Sequence, residues 1–152
     1  MNVTITAPLG SGTSTGLEPS ITATIRLIEY NIINYLLEHP ALSALIDDRL
    51  DPRELSQNSD LPAVIYRLIS KSRQTSWNDR FLRLQFDCYG ETDHETRRLS
   101  RTLSKAIKSI DGQYKIFAVY IDNEMDWEPQ NPGELYRVML DAVFYYNERQ
   151  EE

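Results

Sequence analysis

Cysteine, basic residues and long apolar runs are what this sequence lacks, and each shortage excludes a class of protein. Cys88 is the single cysteine, so no intrachain disulfide can brace the fold. With only two histidines, His39 and His94, the ligands for a structural zinc site are also missing. Stability has to come from packing or from assembly. No apolar run approaches the roughly 18 residues of a membrane span; the longest candidates are broken by Glu29, Asn31 and Asn34. The opening Met1-Asn2-Val3-Thr4 has neither a basic segment nor an apolar core and does not read as a secretory signal, which points to synthesis and assembly in a cytoplasm. Lys and Arg number 16 against 23 Asp and Glu, a net charge of -7, and that sign opposes attraction to nucleic-acid phosphates. The chain also lacks a phosphate loop, a dinucleotide fingerprint, a nucleophile elbow and a zincin helix. At 152 residues, 41% hydrophobic and 26% charged, one globular unit is expected.

The pattern divides the chain into three parts. Residues 1–18 include Gly10-Ser11-Gly12-Thr13-Ser14-Thr15-Gly16, which has too little apolar surface to offset the entropy of ordering alone. They read as an extended N-terminal arm, either frayed or ordered by a neighbouring subunit. Residues 19–147 form the domain, and 148–152 a frayed, Glu-rich tail. Pro19 suits a first helical turn, after which Ile21, Ile25, Ile28, Ile32 and Leu36 recur at three- and four-residue spacing until His39-Pro40 stops the helix. Leu27, Tyr30, Ile33 and Leu37 add a second stripe, more than one-sided packing needs. Core packing is the first reading of this stripe, and a subunit contact through Leu27, Tyr30 and Ile33 the alternative.

A short helical turn over Pro40–Ile46 and a polar surface loop over Asp47–Asp60 come next. Pro62–Ser70 and Arg80–Tyr89 read as strands. The second places Leu82, Leu84, Phe86 and Cys88 on one face and Arg83, Gln85 and Asp87 on the other, so Cys88 is expected to be a buried, inert thiol. A helix over Glu91–Ile110 has Thr92 as its N-cap and Glu95 as capping-box partner. Its apolar side is Leu99, Leu103, Ala106 and Ile110, and at about 100° per residue Arg97, Arg101, Lys105 and Lys108 gather opposite. Strands over Tyr114–Ile121 and Leu135–Tyr146 complete the domain. Strands joined by short connections favour hairpins, so the expected fold is α+β, an antiparallel four-stranded sheet packed by helices.

Titratable residues are densest at Asp122-Asn123-Glu124-Met125-Asp126-Trp127-Glu128. A calcium loop of the helix-loop-helix kind fails here, because its sixth and twelfth positions hold Trp127 and Gly133 rather than Gly and Glu. The stretch reads as a solvated acidic loop, with a subunit contact and a metal or carboxylate site as alternatives. Asp47-Asp48 and Asp93-His94-Glu95 need only loop and capping roles. Neither a catalytic site, a cofactor site nor a metal site is expected. The basic stripe Arg97, Arg101, Lys105, Lys108 reads first as an ordinary solvated face. Being opposite in sign to the acids Asp122, Glu124, Asp126, Glu128, it is also a candidate to meet them between neighbouring copies in a head-to-tail ring. A nucleic-acid contact is disfavoured because no aromatic residues interleave with it.

The layout resembles the tail completion, or tail terminator, proteins of long-tailed bacteriophages. It is carried by the first helix running into His39-Pro40-Ala41-Leu42, by Leu61-Pro62-Ala63-Val64-Ile65-Tyr66, and by Arg83-Leu84-Gln85-Phe86-Asp87-Cys88-Tyr89 before the helix at Thr92. The closing strand Tyr136–Tyr146 extends it, so that it covers most of residues 20–147. The resemblance implies a non-enzymatic virion protein, assembled in the host cytoplasm. Six copies would form a ring that caps the head-proximal end of the tail tube and stops its polymerisation. Its partners would be the tube protein, a neck or connector protein and, in a contractile tail, the sheath protein. DNA would pass through without sequence-specific binding, and no membrane is involved. A head-tail connector is the nearest alternative, and a cytosolic adaptor or a metal-dependent hydrolase using Asp122, Glu124 and Asp126 are more distant ones.

Overall fold

The computed structural model of the chain describes residues 17–52, 54–55, 58–71 and 79–147. Residues 1–16, 53, 56–57, 72–78 and 148–152, on which most of the expected N-terminal arm and the expected C-terminal tail fall, lie outside the described residues. Helix α1 (Leu17–Glu38) starts two residues ahead of Pro19, which the first turn tolerates because its missing N–H would have no intrahelical acceptor. The residue before a proline is pushed to extended backbone. His39 accordingly sits at φ -67, ψ 119, ending α1, and Pro40 opens α2 (Pro40–Ile46).

The sheet has five strands and is mixed, where four antiparallel strands were expected. Its members are β1 (Leu50–Pro52), β2 (Ala63–Lys71), β3 (Asp79–Gly90), β4 (Ile116–Trp127) and β5 (Tyr136–Asn147), in the spatial order β1-β2-β3-β5-β4. The extra strand, β1, pairs parallel with β2, Leu50 opposite Val64. Three residues are too few to show an alternation, and Pro52 hides the strand within a polar stretch. Arg49 anchors it: its Nε donates to the Pro62 carbonyl at 2.9 Å and its Nη2 to the Leu45 carbonyl at 3.2 Å. The Leu61-Pro62 peptide is cis.

Strands β3 and β5 pair antiparallel from Asp79–Asn147 to Gly90–Tyr136, and β4 lies outside β5. Helix α3 (Asp93–Lys108) thus connects two strands of the same direction with β5 inserted between them, a split crossover rather than successive hairpins. All three helices lie on one face of the sheet. Ile32, Leu36, Leu42, Leu99 and Leu103 meet Leu84, Phe86, Leu140 and Phe144 in a single core, all at 0% exposure. Each such side chain contributes about 1.5–3 kcal/mol by leaving water.

The start of α3 follows its expected chemistry, with one displacement. Thr92 Oγ1 accepts the Glu95 N–H at 3.1 Å, while the Glu95 carboxylate takes the N–H of Glu91 at 2.9 Å rather than that of the cap residue itself. Gly90 lets the end of β3 approach this turn, because a Cβ there would collide with Thr96 Oγ1. Thr92→Ala is expected to lower the unfolding free energy by about 1 kcal/mol, read by urea denaturation; an unchanged midpoint would show that the cap is idle. Cys88 lies at 0% exposure in the core. Burial first, then the charges of Asp87 and Glu124, push its thiol well above the ordinary range. A thiol reagent at pH 8 should therefore leave the native protein unmodified and label it fully in denaturant, and rapid labelling of the native state would contradict this burial.

Candidate assembly surfaces

The basic side of α3 is laid out along one stripe but is not uniformly free. Arg97 Nε holds Asp93 at 2.8 Å, one turn back, and its Nη1 reaches Asp126 of β4 at 3.1 Å. Part of the acid-base attraction anticipated between copies is thus satisfied within one. Arg101, Lys105 and Lys108 are exposed. At 1.5 Å rise per residue, Lys108 lies about 16 Å along the axis from Arg97. The stripe therefore has an occupied end beside the acids and an open end away from them.

The acidic stretch expected as a loop is strand, because β4 continues to Trp127 against β5. If the alternation ran unbroken, Asp122, Glu124 and Asp126 would share one face. The register shifts between Ile121 and Asn123, and this bulge turns Asp122 away from the helices. Its carboxylate accepts from Arg83 Nη1 at 2.9 Å, and the same nitrogen lies 3.5 Å from Asp141. Glu124, opposite the core residue Leu140, is on the helix side, as is Asp126, held by Arg97. The three carboxylates do not converge on one point, and among the described residues no group of three His, Cys, Asp or Glu is placed to hold a metal ion. Glu128 is exposed where the strand ends. In the turn beyond it, Gly133 supplies a φ of 87°. The Glu134 carboxylate accepts from the Asn131 side chain and from the N–H groups of Gln130 and Asn131, which together hold its pKa below the ordinary value.

Of the apolar candidates on α1, Leu27 and Tyr30 are 57% and 64% exposed, whereas Ile33 is in the core at 8%. Six residues past Leu27 the helix has rotated this stripe toward the sheet. Leu27 and Tyr30, about one turn apart, form a small exposed apolar step.

Sequence reading missed the helix-free face of the sheet. At one end Tyr145 gathers Phe81, Phe117 and Tyr120, with ring centroids 6.2, 6.3 and 5.9 Å away; Phe117 and Tyr120 are 50% and 59% exposed. At the other end Arg137 donates to Asp87 from Nε at 3.1 Å and from Nη2 at 2.9 Å, with its guanidinium 4.4 Å from the Trp127 ring centre. Gln85 supports the same carboxylate, which is fully buried. The only trace in the sequence is the alternation of Arg83, Gln85 and Asp87 in the middle of β3. Which partners those residues meet depends on the register with β5 and on β4, fifty and forty residues away.

The described helices include none long and apolar enough to cross a membrane. No protein-family model matches the sequence, and no curated protein matches it either. Solved structures do share the fold. A chain from the virion of a native gene transfer agent particle superposes with a TM-score of 0.62 at 8% identity, over 76% of this chain and 91% of its own. The gp17 protein of bacteriophage SPP1 superposes with a TM-score of 0.58 at 13% identity, over 86% of this chain and 95% of its own. What these chains hold in common with the present one is the α+β fold, over nearly their whole length.

Proposed function

We propose that the chain is a structural virion protein, a tail terminator that forms a six-membered ring on the head-proximal end of a phage tail tube. The observation that carries the reading is the fold, which spans 91% of a chain built into a gene transfer agent virion. Three exposed features support it: the apolar step at Leu27 and Tyr30, the open cationic half of α3, and the aromatic end of the helix-free sheet face. In a ring of identical copies, a surface on one flank meets a different surface on the next, and the rotation closes. The open end of the α3 stripe and the acids around Glu124 and Glu128 suit such a head-to-tail contact, with charge setting register more than affinity. The ring's far faces would then meet the tube protein on one side and a neck protein on the other, with a sheath contact in a contractile tail. A net charge of -7 per copy makes an assembled ring strongly anionic, which favours passage of DNA over its retention.

The test is tube growth. Purified tube protein polymerising in the presence of this chain should give tubes that stop elongating, each with one capped end. Tubes that elongate unchanged, with the chain left in solution, would reject the terminator role, and capture by an isolated head connector instead would move it to the neck.

A further inference from the structure

We infer that the segment Val3–Ala7 adds as a strand to the outer edge of β4 in a neighbouring copy; this rests on the ring reading above. The acceptor is set by the sheet. Among the described residues its edges are β1, three residues long and ending at Pro52, and β4, twelve residues long, paired on one side only. Register shifts at Phe117 and Asp122 bend β4 at both ends of Ala118–Ile121, and bulges of this kind limit edge pairing. Beyond Asp122 the edge is acidic. What remains open is a regular, uncharged stretch of Ala118, Val119, Tyr120 and Ile121, with the Tyr120 ring 59% exposed.

The donor matches that stretch in length and character. Val3-Thr4-Ile5-Thr6 are all β-branched and alternate apolar with hydroxyl side chains up to Ala7, the pattern of a strand with one greasy face. No charged residue occurs between Asn2 and Leu17, so the segment has nothing to be repelled by the acids flanking the acceptor. Pairing with Val3 and Ile5 on the helix-free side would cover Tyr120 and extend the aromatic cluster around Tyr145. Main-chain hydrogen bonds supply the affinity and the alternating side chains the register, as in strand addition generally.

The run of α1 decides which copy supplies the donor. Tyr35 hydrogen-bonds the Ser109 hydroxyl at 2.7 Å and packs edge-on against Tyr114, just ahead of β4. Glu29 lies about 9 Å back along the helix; the Tyr66 phenol of β2 is pushed up by its burial first and then by the nearby charges of Glu29 and Asp51, which sets this turn of α1 beside β2. The helix thus leads from the β4 side toward the β2 side as it is followed back, and Leu17 lies about 18 Å further in that direction. Residues 8–16 span at most about 30 Å when extended, all of which would be consumed in returning to the chain's own β4. In a head-to-tail ring the neighbour's β4 edge would face the flank where the segment starts, closer than the chain's own.

Cys88 is buried, so introduced cysteines report alone. Chains carrying Tyr120→Cys are mixed in turn with chains carrying Val3→Cys, Thr4→Cys, Ile5→Cys or Thr6→Cys, assembled and oxidised. Covalent heterodimers should form several-fold more from positions 3 and 5 than from 4 and 6. Equal yields from all four positions, no heterodimer in rings that do form, or an intrachain bond only in a doubly substituted chain would each overturn the inference while leaving the ring standing. A chain that never associates, with or without tubes, overturns both. As a check needing no substitution at β4, amide exchange of residues 118–121 should slow on assembly, and deleting residues 2–8 should abolish that slowing and weaken ring assembly at least tenfold. Assembly and exchange untouched by the deletion would overturn the inference independently.

Discussion

Asp87→Ala should lower the unfolding free energy by about 2–4 kcal/mol, a large fraction of the roughly 5–15 kcal/mol that holds a domain together. The carboxylate is at 0% exposure and accepts two hydrogen bonds from Arg137 and two from Gln85. Removing it strands a guanidinium that is itself mostly covered, its side chain 28% exposed. That remaining contact with water places the expected cost below the 3–5 kcal/mol of a wholly buried broken pair. Asp87→Asn keeps an acceptor for Arg137 and should cost less than the alanine. The double variant Asp87→Ala with Arg137→Met should be more stable than the sum of its parts, because no charge is left unpaired. Denaturant unfolding of the wild type, Asp87→Ala, Arg137→Met and the double variant measures this coupling; an Asp87→Ala cost under about 1 kcal/mol would show that the pair is only a bystander on the sheet.

Arg101→Glu combined with Lys105→Glu should weaken self-assembly at least tenfold while leaving the thermal midpoint nearly unchanged. Both side chains are exposed, neither has an ion-pair partner within its own chain among the described residues, and surface substitutions of this sort change stability by only about 0.5 kcal/mol. Reversing two charges at a head-to-tail contact places like charges against Glu124 or Glu128 of the neighbour. Added salt should weaken the wild-type assembly for the same reason and the double variant much less. Arg97→Glu is a different case, because it breaks the contact with Asp126 inside one copy as well as any contact outside it. Sedimentation of the variants across a salt series separates the two, and assembly unaffected by the double reversal would remove α3 from the interface.

Periodicity revealed the core and the helices more fully than it revealed the surfaces. The alternation of Leu82, Leu84, Phe86 and Cys88, and the helical spacing of Leu99, Leu103, Ala106 and Ile110, report burial directly, and all eight are at 0% exposure. What stayed hidden depends on partners distant in sequence. β1 is too short for a pattern and is defined by a parallel neighbour. The acidic stretch alternates as a strand should, but its charge made a loop the natural reading, and the bulge at Asp122 is invisible without the register to β5. Ile33 and Leu27 belong to the same sequence stripe, yet helical rotation puts one in the core and the other in solvent. Arg137 and Asp87 meet across fifty residues of chain. For the candidate surfaces, residue type could be read in advance; which charges remain available to a neighbour could not, because Arg97 and Asp126 meet only once α3 crosses over β5.

The most direct measurement is electron microscopy of the purified chain at high concentration, alone and mixed with tail tubes, with native mass determination of the same samples. Six-membered rings, or single caps on tube ends that no longer grow, are the expected result. A persistent monomer that leaves tube ends bare and growing would contradict the assignment.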